Sequence, residues 1–167
     1  MEQESKGNRF LTFRLENEKY GIDILAVKEI IGYQKTIPIH QTPDYVKGVL
    51  NLRGQIIPVI DTAVKFGMDE KTPGVYTAII IAMIHNISIG FIVDEVNEVI
   101  TAAGSELSDP PEFGSTVHVD YLSKIVQVDS EVIMILNLDS IVDAREMQTI
   151  QASQRGEDSI PTQEVHT

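Results

Sequence analysis

Two short apolar runs, Val49–Leu52 and Ile56–Ile60, stand either side of Arg53-Gly54 in the 167-residue chain. Each run is rich in Leu or β-branched residues and reads as a buried strand. Gly54 takes the positive φ that a tight reversal needs. A hairpin at this place commits the chain to β architecture. Its tip has two readings. It is a solvated polar turn that happens to carry a charge, or it presents Arg53 to a partner or to an internal carboxylate. The hairpin alone leaves both open.

The flanking sequence repeats the pattern of short strands and turns. Phe10, Phe13 and Leu15 begin one strand, and Tyr20–Ile24 follows after the break at Asn17-Glu18. Val27-Lys28-Glu29-Ile30 alternates as a third strand with Glu29 on one face, and a helical turn over Ile24–Val27 fits equally. Thr36-Ile37-Pro38-Ile39 is an edge piece, because proline cannot serve a central ladder. Thr42-Pro43-Asp44-Tyr45 carries a helix-start signal. Asp61 is placed to cap a short helix, Thr62–Phe66, that ends at Gly67. Val75–Ile84 and Ile87–Val93 are strands about a His85-Asn86 turn, with another strand or turn over Val96–Ile100. Ala103–Gly114 is irregular around Asp109-Pro110-Pro111. Tyr121–Val128 and Val132–Leu138 are the last strands, and Asp139-Ser140 caps a closing helix that runs to about Met147.

Nine to ten short strands imply an all-β barrel or sandwich fold. The expected organisation is a flexible leader over residues 1–8, a folded region over 9–147 with a seam near 67–74, and a disordered polar tail over 148–167. In that tail Ile150, Ile160 and Val165 are too isolated to build a core.

Charge and composition remove several function classes. With 25 acidic and 13 basic side chains the net charge is −12, which disfavours nucleic acid and anionic lipid. Cysteine is absent, so disulfides, thiolate metal sites and cysteine nucleophiles are excluded. Met1–Lys6 is polar, unlike a signal peptide. The apolar run Ala78–Ile84 is too short to span a bilayer. His40, His85, His118 and His166 form no metal-ligand spacing, and no nucleophile elbow or phosphate loop occurs. Asp94, Glu95 and Glu98 could form an acid–base set, but read more simply as a solvated face. No cofactor or metal is implied. A binding module is the default, and a small acidic β-barrel hydrolase is the alternative from another class.

Several segments together resemble the bacterial chemotaxis coupling proteins, the CheW family. They are Phe10–Phe13, Lys19–Ile24, Val27–Ile30, Gly48–Gly54, Pro58–Asp61 and Gly90–Asp94, in that order and spacing. The resemblance runs from about Arg9 to Met147. It implies two five-stranded SH3-like barrels side by side, with few short helices, a C-terminal helix and no catalysis. It implies an adaptor that ties the regulatory domain of the histidine kinase CheA to the cytoplasmic tip of methyl-accepting chemoreceptors, in the cytoplasm at membrane-bound arrays and without membrane insertion. The same resemblance admits the coupling module of a CheV-like protein. Site residues implied are Val27, Glu29, Ile30, Gly48, Asn51, Leu52, Arg53 and Gly54, with Phe113 as a possible second kinase contact. Val27, Ile30 and Leu52 are expected to line a groove for a helical partner. Glu29 and Arg53 are expected to pair across adjacent strands.

Overall fold

The computed structural model describes residues 8–110, 119–143, 147, 149 and 150. Among them eleven strands form two sheets. The first five are β1 (Arg9–Leu15), β2 (Glu18–Asp23), β3 (Val27–Gly32), β4 (Val46–Leu52) and β5 (Gln55–Asp61). Then come β6 (Ala78–Ile84), β7 (Ile87–Val93), β8 (Glu95–Thr101), β9 (Leu107–Ser108), β10 (Leu122–Val128) and β11 (Glu131–Leu136). The six-stranded sheet has the order β8-β1-β2-β11-β10-β9, and the five-stranded sheet the order β3-β6-β7-β5-β4. Short helices cover Thr62–Lys65 and Leu138–Ile141, and 3-10 turns include Ile24–Ala26. The mainly β fold in two sheets matches expectation, and Ile24–Ala26 resolves the choice left open there in favour of a turn before β3.

The apolar runs are continuous because both faces of a strand are buried. On β6, Ile80, Ala82 and Ile84 enter the core between the two sheets, while Ile79 and Ile81 turn to the other side. That other side is an inner cluster of the five-stranded sheet, built with Leu50, Ile57 and Val59. In the six-stranded sheet Leu11, Phe13, Leu15, Tyr20 and Ile22 face the shared core. Phe10 instead packs with Val126, Ile133 and Ile135 in that sheet's own cluster. Each sheet thus wraps a small core and packs a second face on its neighbour. Each fully buried Ile contributes about 1.5–3 kcal/mol of transfer free energy.

The chain does not divide at the 67–74 seam. That loop joins β5 to β6, both in the five-stranded sheet. Instead the chain starts in one sheet with β1 and β2, builds the whole five-stranded sheet, and returns through Asp94 for β8–β11. Parallel pairs β2·β11 and β5·β7 complete the two sheets. Sequence neighbours pair by default, so a boundary set by long-range pairing is invisible locally.

Four local expectations are corrected. No helix follows Thr42-Pro43. The Thr42 hydroxyl donates to Ile39 O at 3.0 Å and Val46 N donates to Pro43 O at 3.0 Å, giving turns that run directly into β4. The β6 strand begins at Ala78, because Val75 is 92% exposed and Tyr76 69%. Asn137 rather than Asp139 caps Leu138–Ile141, its side chain accepting from Asp139 N at 3.1 Å. Ile150 is not isolated: with Met147 it is buried in the core between the sheets.

Candidate functional site

The central hairpin is β4 and β5, with Leu52 paired to Gln55 and Arg53-Gly54 as a two-residue turn. Both turn residues have positive φ, 52° for Arg53 and 87° for Gly54. This is the type I′ geometry whose twist matches that of the strands. Asn51 steadies it: its Oδ1 accepts from Gly54 N at 2.9 Å. The Arg53 side chain is 68% exposed, and its Nη2 lies 2.5 Å from Glu29 Oε1.

Glu29 and Arg53 therefore pair, but not across adjacent strands. Glu29 is on β3 and Arg53 follows β4, and these strands are the two opposite edges of the five-stranded sheet. The sheet curls until its edges approach, and the ion pair spans the gap. Three further contacts involve the segments around the two edges. Ile37 forms an isolated antiparallel bridge to Val49 of β4. Lys28 Nζ reaches Ser88 Oγ at 3.2 Å and Gln55 Oε1 at 3.5 Å.

The remaining site residues separate by environment. Ile30 is exposed at 44%. Val27 is half-buried against the core between the sheets, whereas Leu52 packs on the inner cluster of the five-stranded sheet. Val27 and Leu52 thus pack against different cores. Gly48 is buried, with φ 125°, and a Cβ there would stand 1.9 Å from Ile37 O. Its missing side chain makes room for the bridge between Ile37 and Val49. Phe113 lies outside the described residues.

The carboxylates of the hydrolase reading are taken up separately. Asp94 Oδ2 accepts from Lys71 Nζ at 2.6 Å and from Glu16 N at 2.7 Å. Glu95 binds Arg14 at 3.0 Å, and Glu98 lies 3.7 Å from Lys19. Among the described residues no group of three or more His, Asp or Glu is placed to hold a metal.

Sequence reasoning did not anticipate a cavity of about 310 Å³ beneath the loop between β5 and β6, lined by Tyr33, Lys35, Lys47, Asp61, Lys71 and Asp94 among others. Lys47–Glu70 at 2.9 Å and Lys71–Asp94 at 2.6 Å fasten that loop on two sides. Asp61 caps Thr62–Lys65 as expected, accepting from Val64 N at 3.2 Å. Burial raises its pKa, opposed by the Val64 N–H and by Lys47.

Two β-sheets wrapped on their own cores, a shared core between them, and a rigid charged hairpin tip define a β scaffold that offers surfaces. Comparison with known proteins gives that class a family. The model of the CheW-like domain matches residues 9–146. The chemotaxis protein CheW of Klebsiella aerogenes is 35% identical over 147 residues, covering 88% of this chain and 89% of that protein. CheW of Bacillus subtilis is 32% identical over 144 residues, covering 86% and 92%. The crystal structure of the scaffolding protein TtCheW from Thermoanaerobacter tengcongensis superposes with a TM-score of 0.77 at 34% identity, covering 84% of this chain and 97% of that one. The chain belongs to the CheW family.

Proposed function

We propose that the protein is a non-catalytic chemotaxis adaptor that couples the histidine kinase CheA to methyl-accepting chemoreceptors, so that receptors control kinase activity. The observation that carries this reading is the family match across residues 9–146, which includes the whole central hairpin. The kinase partner is its regulatory domain and the receptor partner is the helical hairpin at the cytoplasmic tip. The place of action is the cytoplasmic side of receptor arrays. Among the described residues no helix is long and apolar enough to cross a membrane.

Within this function Arg53, Glu29 and Ile30 form the exposed part of the coupling surface around β3 and the β4–β5 tip. Asn51 and Gly54, themselves exposed, form the turn that carries Arg53, and Val27, Leu52 and Gly48 support it from beneath. An exposed ion pair of this kind contributes only about 0–1 kcal/mol to stability, so the value of Glu29–Arg53 lies in orienting the tip. A pull-down with a receptor-tip fragment and the kinase regulatory domain tests the reading. Retention of both by the wild-type protein is expected, and retention of neither overturns it.

A further inference from the structure

The β4–β5 tip has an unfavourable residue in it. A type I′ turn needs positive φ at both central positions and selects Asn-Gly, Asp-Gly or Gly-Gly. Positive φ is uncommon for other residues because Cβ crowds the carbonyl oxygen. Here Arg53 stands in the first position at φ 52°. Packing does not explain it, since the side chain is largely exposed. Nor does the ion pair to Glu29, because an exposed pair contributes too little to offset the backbone conformation.

Two contacts from outside the turn hold this residue. Gly54 N belongs to the peptide unit that follows Arg53, so the bond from Gly54 N to Asn51 Oδ1 fixes the rotation about the Arg53 Cα–C bond. The bond from Arg53 Nη2 to Glu29 Oε1 fixes the other end, the guanidinium. Glu29 lies on the opposite edge strand, so the direction of the guanidinium is tied to the curl of the sheet. A guanidinium carries five N–H donors in a rigid fork, and Glu29 accepts from Nη2.

We infer that Arg53 is kept in the left-handed turn position at a cost to fold stability, because a partner must meet its guanidinium in a set direction, and that Asn51 is the positioning residue that sets it. This deepens the proposed function and rests on it. Strain retained at a contact is repaid at binding, where a preorganised group loses less freedom. A separate hairpin supplies an internal control. The β10–β11 turn, Asp129-Ser130, also has positive φ at both residues, 50° and 64°.

The test combines thermal melting with titration against the receptor-tip hairpin and the kinase regulatory domain. Arg53→Asn creates the favoured Asn-Gly turn and should raise Tm by about 2–4 °C, while weakening at least one partner tenfold or more. Ser130→Gly should raise Tm similarly and leave both affinities unchanged. Asn51→Ala should weaken the same partner as Arg53→Asn, and Asn51→Asp, which keeps the acceptor for Gly54 N, should restore it. The inference is overturned if Arg53→Asn melts at or below the wild type while Ser130→Gly melts above it. It is equally overturned if Arg53→Asn binds both partners like the wild type, or if Asn51→Ala lowers Tm with affinity unchanged. A wild-type protein that binds neither partner sinks the proposed function instead, and the melting of Arg53→Asn still decides whether the arginine costs stability.

Discussion

At the scale of single residues, the Glu29–Arg53 pair and Gly48 make opposite predictions. The pair is exposed, so removing it should leave the fold intact and reduce coupling. Exchanging the two charges, Glu29→Arg with Arg53→Glu, should partly restore receptor-controlled kinase activity relative to either single variant. If the double variant is no better than the singles, direct pairing does not orient the tip. Gly48 is buried at φ 125° with a virtual Cβ inside the contact distance of the Ile37 carbonyl. Gly48→Ala should therefore destabilise the protein by roughly 2–4 kcal/mol, measured by denaturant unfolding, because it combines backbone strain with overpacking. Lost coupling in that variant would follow from displacing the segment around Ile37. Sequence resemblance brings Gly48 and Arg53 together as site residues. Burial separates them: Arg53 is exposed and Gly48 is buried.

At the scale of elements, Asp61 illustrates a cap that is also partly desolvated. Its side chain satisfies Val64 N, an orphan donor of the first turn. Asp61→Ala should lose about 1 kcal/mol. Asp61→Asn keeps the acceptor and removes the buried charge. Burial raises the folded-state pKa above the ordinary value of 3.8, so the folded protein holds this proton more tightly than the unfolded chain. The Asp61 contribution to stability is therefore greatest at low pH and falls as pH rises from 3.8 through the raised value. Comparing wild type with Asp61→Asn by denaturant titration should show the wild type losing ground across that window. A difference that grows in favour of the wild type would reverse the sign and contradict the desolvation argument.

Elements were legible in the sequence where local chemistry decides them. The β4–β5 hairpin, the Asp61 cap and the His85-Asn86 reversal all follow from turn residues beside apolar runs. The signals that failed were overridden by connection geometry. Thr42-Pro43 precedes β4 too closely for a helix, and the Val75-Tyr76 pair extends an apolar run whose buried part begins only at Ala78. Asn51 was legible as a member of the motif, but its bond to Gly54 N depends on the turn type, which the sequence does not state.

At the scale of the whole molecule, the division between the sheets could not be read locally, because it is set by strand pairings between segments far apart in the sequence. Which sheet receives β3 or β8 is decided by pairings across the chain, such as β3 with β6 and β1 with β8. The same long-range packing rescues Ile150, which looks isolated beside its polar neighbours yet closes the core between the sheets. Ile150→Ala should cost about 2–4 kcal/mol in unfolding free energy. A change below about 0.5 kcal/mol would place this residue outside the cooperative core.

The proposed coupling surface depends on that whole arrangement, since Glu29 and Arg53 lie at opposite edges of the five-stranded sheet and meet where it curls edge to edge. The most direct measurement is CheA autophosphorylation with receptor-tip assemblies, with and without this protein. The account predicts that kinase activity becomes receptor-dependent only when the protein is added, and that Arg53→Ala abolishes this dependence while retaining a wild-type melting profile. Receptor control without the protein, or an Arg53→Ala variant that is unfolded, would contradict it.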